Sequence, residues 1–256
     1  MSKPIVICAC AKDEDSYLQE WLDYHLDLGF DAIHLCDNND DARLEAQLAD
    51  DLNAERVKLH DYRGARNFQL ACYNHFITTM QKTYAWCAFI DVDEFITLPR
   101  HTSIGHFLET VEEEAVYLNW MIISSENRLV REPGGVLDRF KTPIPLDHER
   151  NRHIKSILRG GIQAAFVDNP HNVVIPDGRY SHAGERRLAR TSPWVDQCRF
   201  SNAYIRHYYT KSYQEWRHKV AVRKWPDATE LEQDRWWTAF QEYAPCEAQR
   251  TEGVPA

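Results

Sequence analysis

The run Trp86-Cys-Ala-Phe-Ile90 is unbroken in apolar and aromatic side chains. A strand with one wet face alternates, so such a run reads as a strand buried on both faces, in a sheet covered by helices on both sides. A run this short also fits a buried helix segment, and the rest of the chain decides between the two. Three acids follow at once: Asp91, Asp93 and Glu94. If the strand continues, Asp91 and Asp93 leave one face and Val92 the other. Carboxylates so placed repel unless something positive lies between them, and hard oxygen ligands favour Mg2+ or Mn2+. A solvated acidic turn at a strand end is the alternative.

The preceding residues decide for the strand. Ile5 to Cys10 is strand-like, and Asp13 or Asp15 can cap a helix through about Leu28. That helix has Leu18, Trp21, Leu22 and His25 on one face and Gly29 as its stop. Ala32 to Cys36 reads as a second strand, ending in Asp37-Asn-Asn-Asp-Asp41. A short helix (Leu44 to about Leu52), a strand (Val57 to His60) and a helix (Asn67 to about Gln81) come before the run that ends at Asp91. This alternation predicts an α/β fold with a mostly parallel central sheet, a Rossmann-type sandwich. Ligands of such sheets bind beyond the carboxyl ends of the strands. Here those ends carry Lys12-Asp13-Glu14, Asp37-Asn38 and Asp91-Val-Asp93-Glu94. No strand is followed by GxGxxG and no GxxxxGK[ST] occurs, which excludes the usual dinucleotide and Walker phosphate loops.

The second half is irregular. A helical segment (Ile104 to Leu108) and a strand (Ala115 to Ile123) lead into a Gly- and Pro-punctuated stretch. Its short β-like pieces are Val136 to Phe140, Ile154 to Leu158 and Val173 to Ile175. C-terminal helices are expected from Tyr213, capped by Ser212, to about Lys224, and from Asp227 or Thr229 through Tyr243. With no internal repeat, the expectation is a single domain over 1–256: a ligand-binding half at 1–98 and a second-substrate half at 99–256.

Composition removes several classes. A net charge of -9 argues against a nucleic-acid backbone as main partner. No apolar run reaches bilayer length, so the chain is expected in the cytoplasm, with peripheral contact at the inner membrane face. Seven cysteines, among them Cys8, Cys10, Cys36, Cys72 and Cys87 inside apolar runs, read as buried reduced thiols.

Acids that hold Mg2+ or Mn2+ beside a parallel sheet suit a diphosphate, so the implied reaction removes a group from a nucleotide. Phe89-Ile-Asp-Val-Asp-Glu-Phe95 resembles the DxD segment of glycosyltransferases of the GT-A fold, and more narrowly their family 2-like and family 92-like group. Further segments fit that group in order. They are Lys12-Asp-Glu14 with Tyr17-Leu-Gln-Glu-Trp-Leu-Asp-Tyr-His25, then Asp37-Asn38, then Gln69 with Tyr73-Asn-His75. Lys155-Ser-Ile-Leu-Arg159, His171 and His207-Tyr-Tyr-Thr-Lys-Ser212 complete the set. Asp13 stands where asparagine is usual, and Glu126 lies where the family often has glycine.

The resemblance implies a hexosyltransferase of polysaccharide biosynthesis. It would move a sugar from a nucleotide-diphosphate donor, expected to be a UDP-sugar, to a glycan or lipid-linked acceptor. Asp91 and Asp93 would engage Mn2+ or Mg2+ and the donor diphosphate, with His207 as a late metal ligand. Asp37 would bind nucleobase or ribose, and Lys12, Asp13 and Glu14 would line that pocket. Lys155, Arg159 and Lys211 are candidates to offset diphosphate charge, each also readable as an ordinary surface cation. His207 equally fits a core histidine among Tyr204, Tyr208 and Tyr209, and His171 a loop residue or an acceptor contact.

Inversion by single displacement needs a carboxylate base, for which Glu94, Glu126 and Asp138 are candidates. Glu126, after a sheet strand, is preferred, against the reading of a surface loop acid. Trp120, Trp194, Tyr204, Tyr208, Trp216 and Trp225 are candidate sugar-stacking faces, though aromatics so spaced are more often core. Two other classes compete. Phosphatases that form an aspartyl-phosphate also carry Asp-x-Asp, but typically with Thr or Val where this chain has Phe95, and nearer the chain start. A non-catalytic nucleotide-sugar-binding protein is the other.

Overall fold

The computed structural model describes residues 3–66, 68–223 and 233–244. The chain begins with β1 (Ile5–Ala11), α1 (Asp15–Asp27), β2 (Ala32–Asp37), the short helices α2 (Arg43–Gln47) and α3 (Ala49–Asn53), and β3 (Val57–Asp61). Next come α4 (Phe68–Thr79), β4 (Trp86–Asp91), β5 (Glu94–Thr97), α5 (Ile104–Glu109) and β6 (Ala115–Ile122). Then follow α6 (Val136–Arg139), β7 (Ile154–Arg159), β8 (Tyr180–His182), β9 (Arg186–Leu188), β10 (Tyr204–His207), α7 (Tyr213–Arg223) and α8 (Gln233–Glu242). Two compact units form, one from residues 1–120 with 152–205 and the other from 121–151 with 206–256. Neither edge coincides with residue 98.

In the first unit β1 pairs in parallel with β2 and β4, and β2 with β3, giving the order β3-β2-β1-β4. This is the expected parallel α/β half. Val6 and Cys8 are buried, and so are Ile7 and Ala9 between them, so both faces of β1 are covered. On one face α4 adds Cys72, Tyr73, Phe76 and Ile77 to a cluster with Val6, Cys8, Cys36, Cys87 and Phe89. Helix α1 buries Leu18, Trp21, Leu22 and His25, the stripe read from the sequence. Trp21 Nε1 and Tyr24 Oη donate to the carbonyls of Glu94 and Ile96, which fastens α1 to β5. Its N-cap is Glu14, with no side-chain cap bond, rather than Asp13 or Asp15. Asp15 instead sits in the first turn, where a negative charge favours the helix dipole. Gly29 ends the chain's helical course at φ 101, as expected.

Parallel pairing stops at β7, which lies antiparallel between β4 and β6. Where β7 ends against the start of β4, a Cβ on Gly160 would lie 1.8 Å from the Tyr84 carbonyl oxygen, so only glycine fits. Strand β8 adds in parallel to β6, and β9 adds antiparallel to β8.

The second unit holds α6, α7 and α8. Trp216, Val220 and Phe240 form its buried cluster. Ser212 caps α7 as expected: its Oγ accepts the Glu215 N–H at 3.3 Å, and Glu215 Oε2 accepts the Ser212 N–H at 3.1 Å. The expected caps Asp227 and Thr229 lie outside the described residues.

Three expectations are corrected. Val136 to Phe140 is the helical turn α6, held where Arg139 donates to both Glu215 oxygens at 2.9 and 2.8 Å. Val173 to Ile175 makes no strand, only a bridge between Ala165 and Val174. Cys36 and Cys72 are joined in a disulfide across 36 residues rather than being reduced, whereas Cys8, Cys10 and Cys87 are buried free thiols. Apolar context reveals burial, not the partner that the β2–α4 packing supplies. Among the described residues no helix is long and apolar enough to cross a membrane.

Candidate functional site

The carboxyl ends of β1, β2 and β4 lie side by side, with Ala11 opposite Asp37 and Cys10 opposite Asp91. The sequence run therefore delivers three polar segments to one edge of the sheet. Strand β4 ends at Asp91, and the chain turns at Val92-Asp93 before β5 begins at Glu94. The strand alternation used to place Asp93 beside Asp91 thus stops short of it. That turn brings Glu94 back: its Oε2 accepts the Asp91 N–H at 2.9 Å. Continued strand alternation would turn Glu94 away from Asp91, but the turn places it in the cluster.

The charge between the acids comes from Lys155 on β7. Its Nζ lies 2.9 Å from Asp91 Oδ2 and 3.8 Å from Glu94 Oε2, with 1% of the side chain exposed. It is no surface cation. Burial alone would push the ammonium down, but Asp91 and then Glu94 raise it above its usual range, so Lys155 stays charged. Burial pushes the Glu94 carboxyl well up, against the pull of Lys155, so Asp91 is the partner that carries the balancing charge. Gln69 of α4 donates to Asp91 Oδ1 at 2.6 Å and to Tyr73 Oη at 3.2 Å, and Tyr73 Oη donates to the Ile90 carbonyl at 3.3 Å. Asp93 is buried and Asp91 partly exposed. With the Glu94 carboxyl pushed toward its neutral form, Asp91 and Asp93 set hard oxygen donors beside one ammonium, and such a set fits Mg2+ or Mn2+.

Beside it, Asp37 is buried and its Oδ1 accepts the Asn39 N–H at 2.9 Å. Burial raises its carboxyl despite that bond. Asn39 Oδ1 in turn accepts the Asp13 N–H at 2.7 Å, and Asp13 adopts φ 53. Lys12 lies 3.9 Å from Asp40, and buried Glu14 accepts the Tyr17 hydroxyl at 3.1 Å. The Lys12–Glu14 segment and Asp37 are thereby joined through Asn39, a link with no sequence signal beyond proximity to strand ends. Arg159 is placed elsewhere: its guanidinium stacks on Trp86 at 4.2 Å and donates to the Val111 carbonyl.

Three other candidates belong to the second unit. His207 is buried, edge-on to Tyr209 at 5.3 Å, within the aromatic surroundings weighed for it. Lys211 is buried and its Nζ donates to the Tyr208 carbonyl at 3.1 Å. Glu126, at φ 49, accepts the N–H groups of Lys141 and Thr142 at 2.7 and 3.0 Å, and Arg128 lies 3.3 Å away. Burial alone would lift its carboxyl, but those two amides outweigh burial and hold it below the usual range. Such an anion is a weakened base.

A parallel sheet with acids and a buried lysine at its strand ends defines a ligand-binding α/β unit. No protein-family model matches the chain. A glycosyltransferase family 92 protein of Ricinus communis is 34% identical over 99 residues, 37% of this chain and 17% of that protein. A family 92 protein of Arabidopsis thaliana is 27% identical over 107 residues, 40% of this chain and 18% of that protein. The chain thus spans less than a fifth of the length of the curated relatives it matches. S. aureus TarS 1-349 in complex with UDP-GlcNAc covers 94% of this chain and 72% of its own, at 13% identity and a TM-score of 0.46. A mannosyltransferase from Pyrobaculum calidifontis in complex with GDP-Man and Mn2+ covers 52% of this chain and 37% of its own, at 13% identity and a TM-score of 0.36. The chain is similar to glycosyltransferase family 92 proteins, the group its DxD-containing segments resemble.

Proposed function

We propose that this chain is a glycosyltransferase that moves a sugar from a nucleotide-diphosphate donor, a UDP-sugar, to a hydroxyl of a glycan or lipid-linked acceptor. The observation that carries the reading is the cluster of Asp91, Asp93, Glu94 and Lys155 at the strand ends, next to Asp37 and Lys12–Glu14. Asp37 accepts from nucleobase or ribose, and the Lys12–Glu14 segment lines that side. Lys155 keeps Asp91 ionised and compensates part of the diphosphate charge. Asp91 and Asp93 would hold Mn2+ or Mg2+, which would supply Lewis-acid stabilisation to the departing diphosphate.

In the reaction the bond from the sugar's anomeric carbon to the diphosphate oxygen breaks and one to the acceptor oxygen forms. The acceptor's proton passes to a carboxylate, and a single displacement inverts the centre. Glu126 is assigned a positioning role on the acceptor side rather than that of the base, because its Oε1 serves both the Lys141 and Thr142 amides and its Oε2 faces Arg128.

Calorimetry of UDP with and without Mn2+ tests the reading. Mn2+-dependent binding is expected in the wild type and lost in Asp91→Ala and in Asp93→Ala. Unchanged affinity in both variants overturns it.

A further inference from the structure

One face of the β6–β7 ladder continues from the acid cluster into a wall of four rings. Lys155 stands opposite Leu118 in the register. One pleat further, His153 stands opposite Trp120, whose N–H donates to the His153 carbonyl at 2.9 Å. Side chains two residues apart leave the same face, so Lys155 and His153 share one side of the strand. The Trp120 and His153 rings stack at 5.0 Å with planes 15° apart.

On its other side His153 bridges Trp194, and their rings meet edge to face at 6.1 Å. Ile154 donates to the Pro193 carbonyl at 3.1 Å and Val195 to the Arg152 carbonyl at 2.8 Å, so backbone bonds on both sides fix Trp194. His171 closes the wall at 5.3 Å from Trp120 and 5.6 Å from His153. It is tied to β7 through its Nδ1 and the Ile154 carbonyl at 3.0 Å, and by the Ser156 hydroxyl on its own carbonyl at 2.7 Å.

Trp194 is 57% exposed although its backbone is held by a β-bridge to His153. A fixed, solvent-facing indole continuous with the half-buried His153 and His171 and the buried Trp120 offers a flat apolar face that costs little entropy to use. Burial holds His171 down to about 3, so its ring is neutral near pH 7. The position selects the occupant. In the order β3-β2-β1-β4-β7-β6, Asp37 lies on β2 and the wall on β7 and β6, with Asp91 on β4 between them. Neighbouring strands are about 4.8 Å apart, so the Asp37 side and the wall flank the reacting centre rather than coincide.

We propose that Trp120, His153, His171 and Trp194 form a stacking subsite for a pyranose ring of the carbohydrate acceptor. The assignment rests on the transferase reading for the chemistry done on the bound sugar, not for the binding itself. Stacking of one ring on Trp194 is worth about tenfold in affinity.

Saturation-transfer NMR titrations with methyl β-D-glucopyranoside, methyl α-D-mannopyranoside and N-acetylglucosamine test it, alongside UDP calorimetry on the same samples. At least one glycoside is expected to bind the wild type. Trp194→Ala, at an exposed position, is expected to weaken it about tenfold, Trp194→Phe to keep most of it, and UDP affinity to stay as in the wild type. Equal glycoside affinity in Trp194→Ala, or no binding of any of the three to the wild type, overturns the subsite. Glycoside binding through Trp194 in a protein that binds no UDP leaves the subsite standing and removes the donor reading instead.

Discussion

Lys155 Nζ lies 2.9 Å from Asp91 Oδ2, and the lysine side chain is 1% exposed against 26% for the aspartate. An ammonium removed from water to this degree is tolerable only while its partner stays ionised. The pair therefore does two jobs. It places a positive charge among the carboxyl groups crowded at one turn, and it sets an ammonium against the Asp91 oxygen that a cation or diphosphate site would use.

Lys155→Met is expected to lower stability by about 2–4 kcal/mol, toward the lower end for a buried pair because water still reaches Asp91. Adding Asp91→Asn should recover part of that loss, since no uncompensated carboxylate then remains. A double-mutant cycle in urea, with a coupling of at least about 1 kcal/mol, is the expected result. Purely additive losses would show that the ion pair contributes nothing to the fold.

The Cys36–Cys72 disulfide closes a loop across 36 residues between β2, just before Asp37, and α4. Chain-entropy arguments give such a link on the order of 4 kcal/mol. Thiol titration of unfolded, unreduced protein should count two fewer thiols than the reduced chain, and reduction should lower Tm. An equal thiol count before and after reduction contradicts the link.

The parallel half was legible because burial on both faces leaves a trace in the sequence: unbroken apolar runs such as Trp86 to Ile90, separated by helical periods. The edge carrying the candidate site followed from the same reading, as each run ends in polar residues. What stayed hidden depended on contacts distant in sequence. Lys155 is drawn to Asp91 by β7 inserting antiparallel beside β4, which no local pattern encodes. Strand alternation would turn Glu94 away from Asp91, and the turn at Val92-Asp93 that brings it back has no Gly or Pro to announce it. Val136 to Phe140 read as β-like from Val, Leu and Phe, yet the Arg139–Glu215 pair overrides that weak preference.

Glu126 is expected to act on structure more than on proton transfer. Glu126→Ala strips an acceptor from the Lys141 and Thr142 amides and should cost about 2 kcal/mol, read as a fall in Tm. Glu126→Gln keeps one acceptor oxygen and should lose less. Once transfer can be assayed, a kcat loss of more than about a hundredfold in Glu126→Gln at unchanged Tm would return the residue to the role of base.

His25 supplies a pH dependence that can be checked without any ligand. Its Nδ1 lies 2.9 Å from the Trp21 carbonyl and its Nε2 accepts the Ile96 N–H at 3.3 Å, an arrangement that needs the neutral ring. Burial holds its pKa down to about 3 in the folded chain. His34, buried between His60 and Tyr84, is held down to about 3 for the same reason. In the unfolded chain both take up a proton near pH 6.5. The folded pKa is the lower one, so this stability is fully present above about pH 6.5 and is lost as pH falls toward 3. Within that window each histidine contributes a slope of about 1.4 kcal/mol per pH unit. His25→Asn, which can place an amide donor toward Trp21, is expected to lower stability at pH 7 but to flatten the acid limb by one proton. Urea unfolding midpoints measured from pH 7 down to 5 provide the comparison. An acid limb as steep in His25→Asn as in the wild type would show that His25 does not titrate on unfolding.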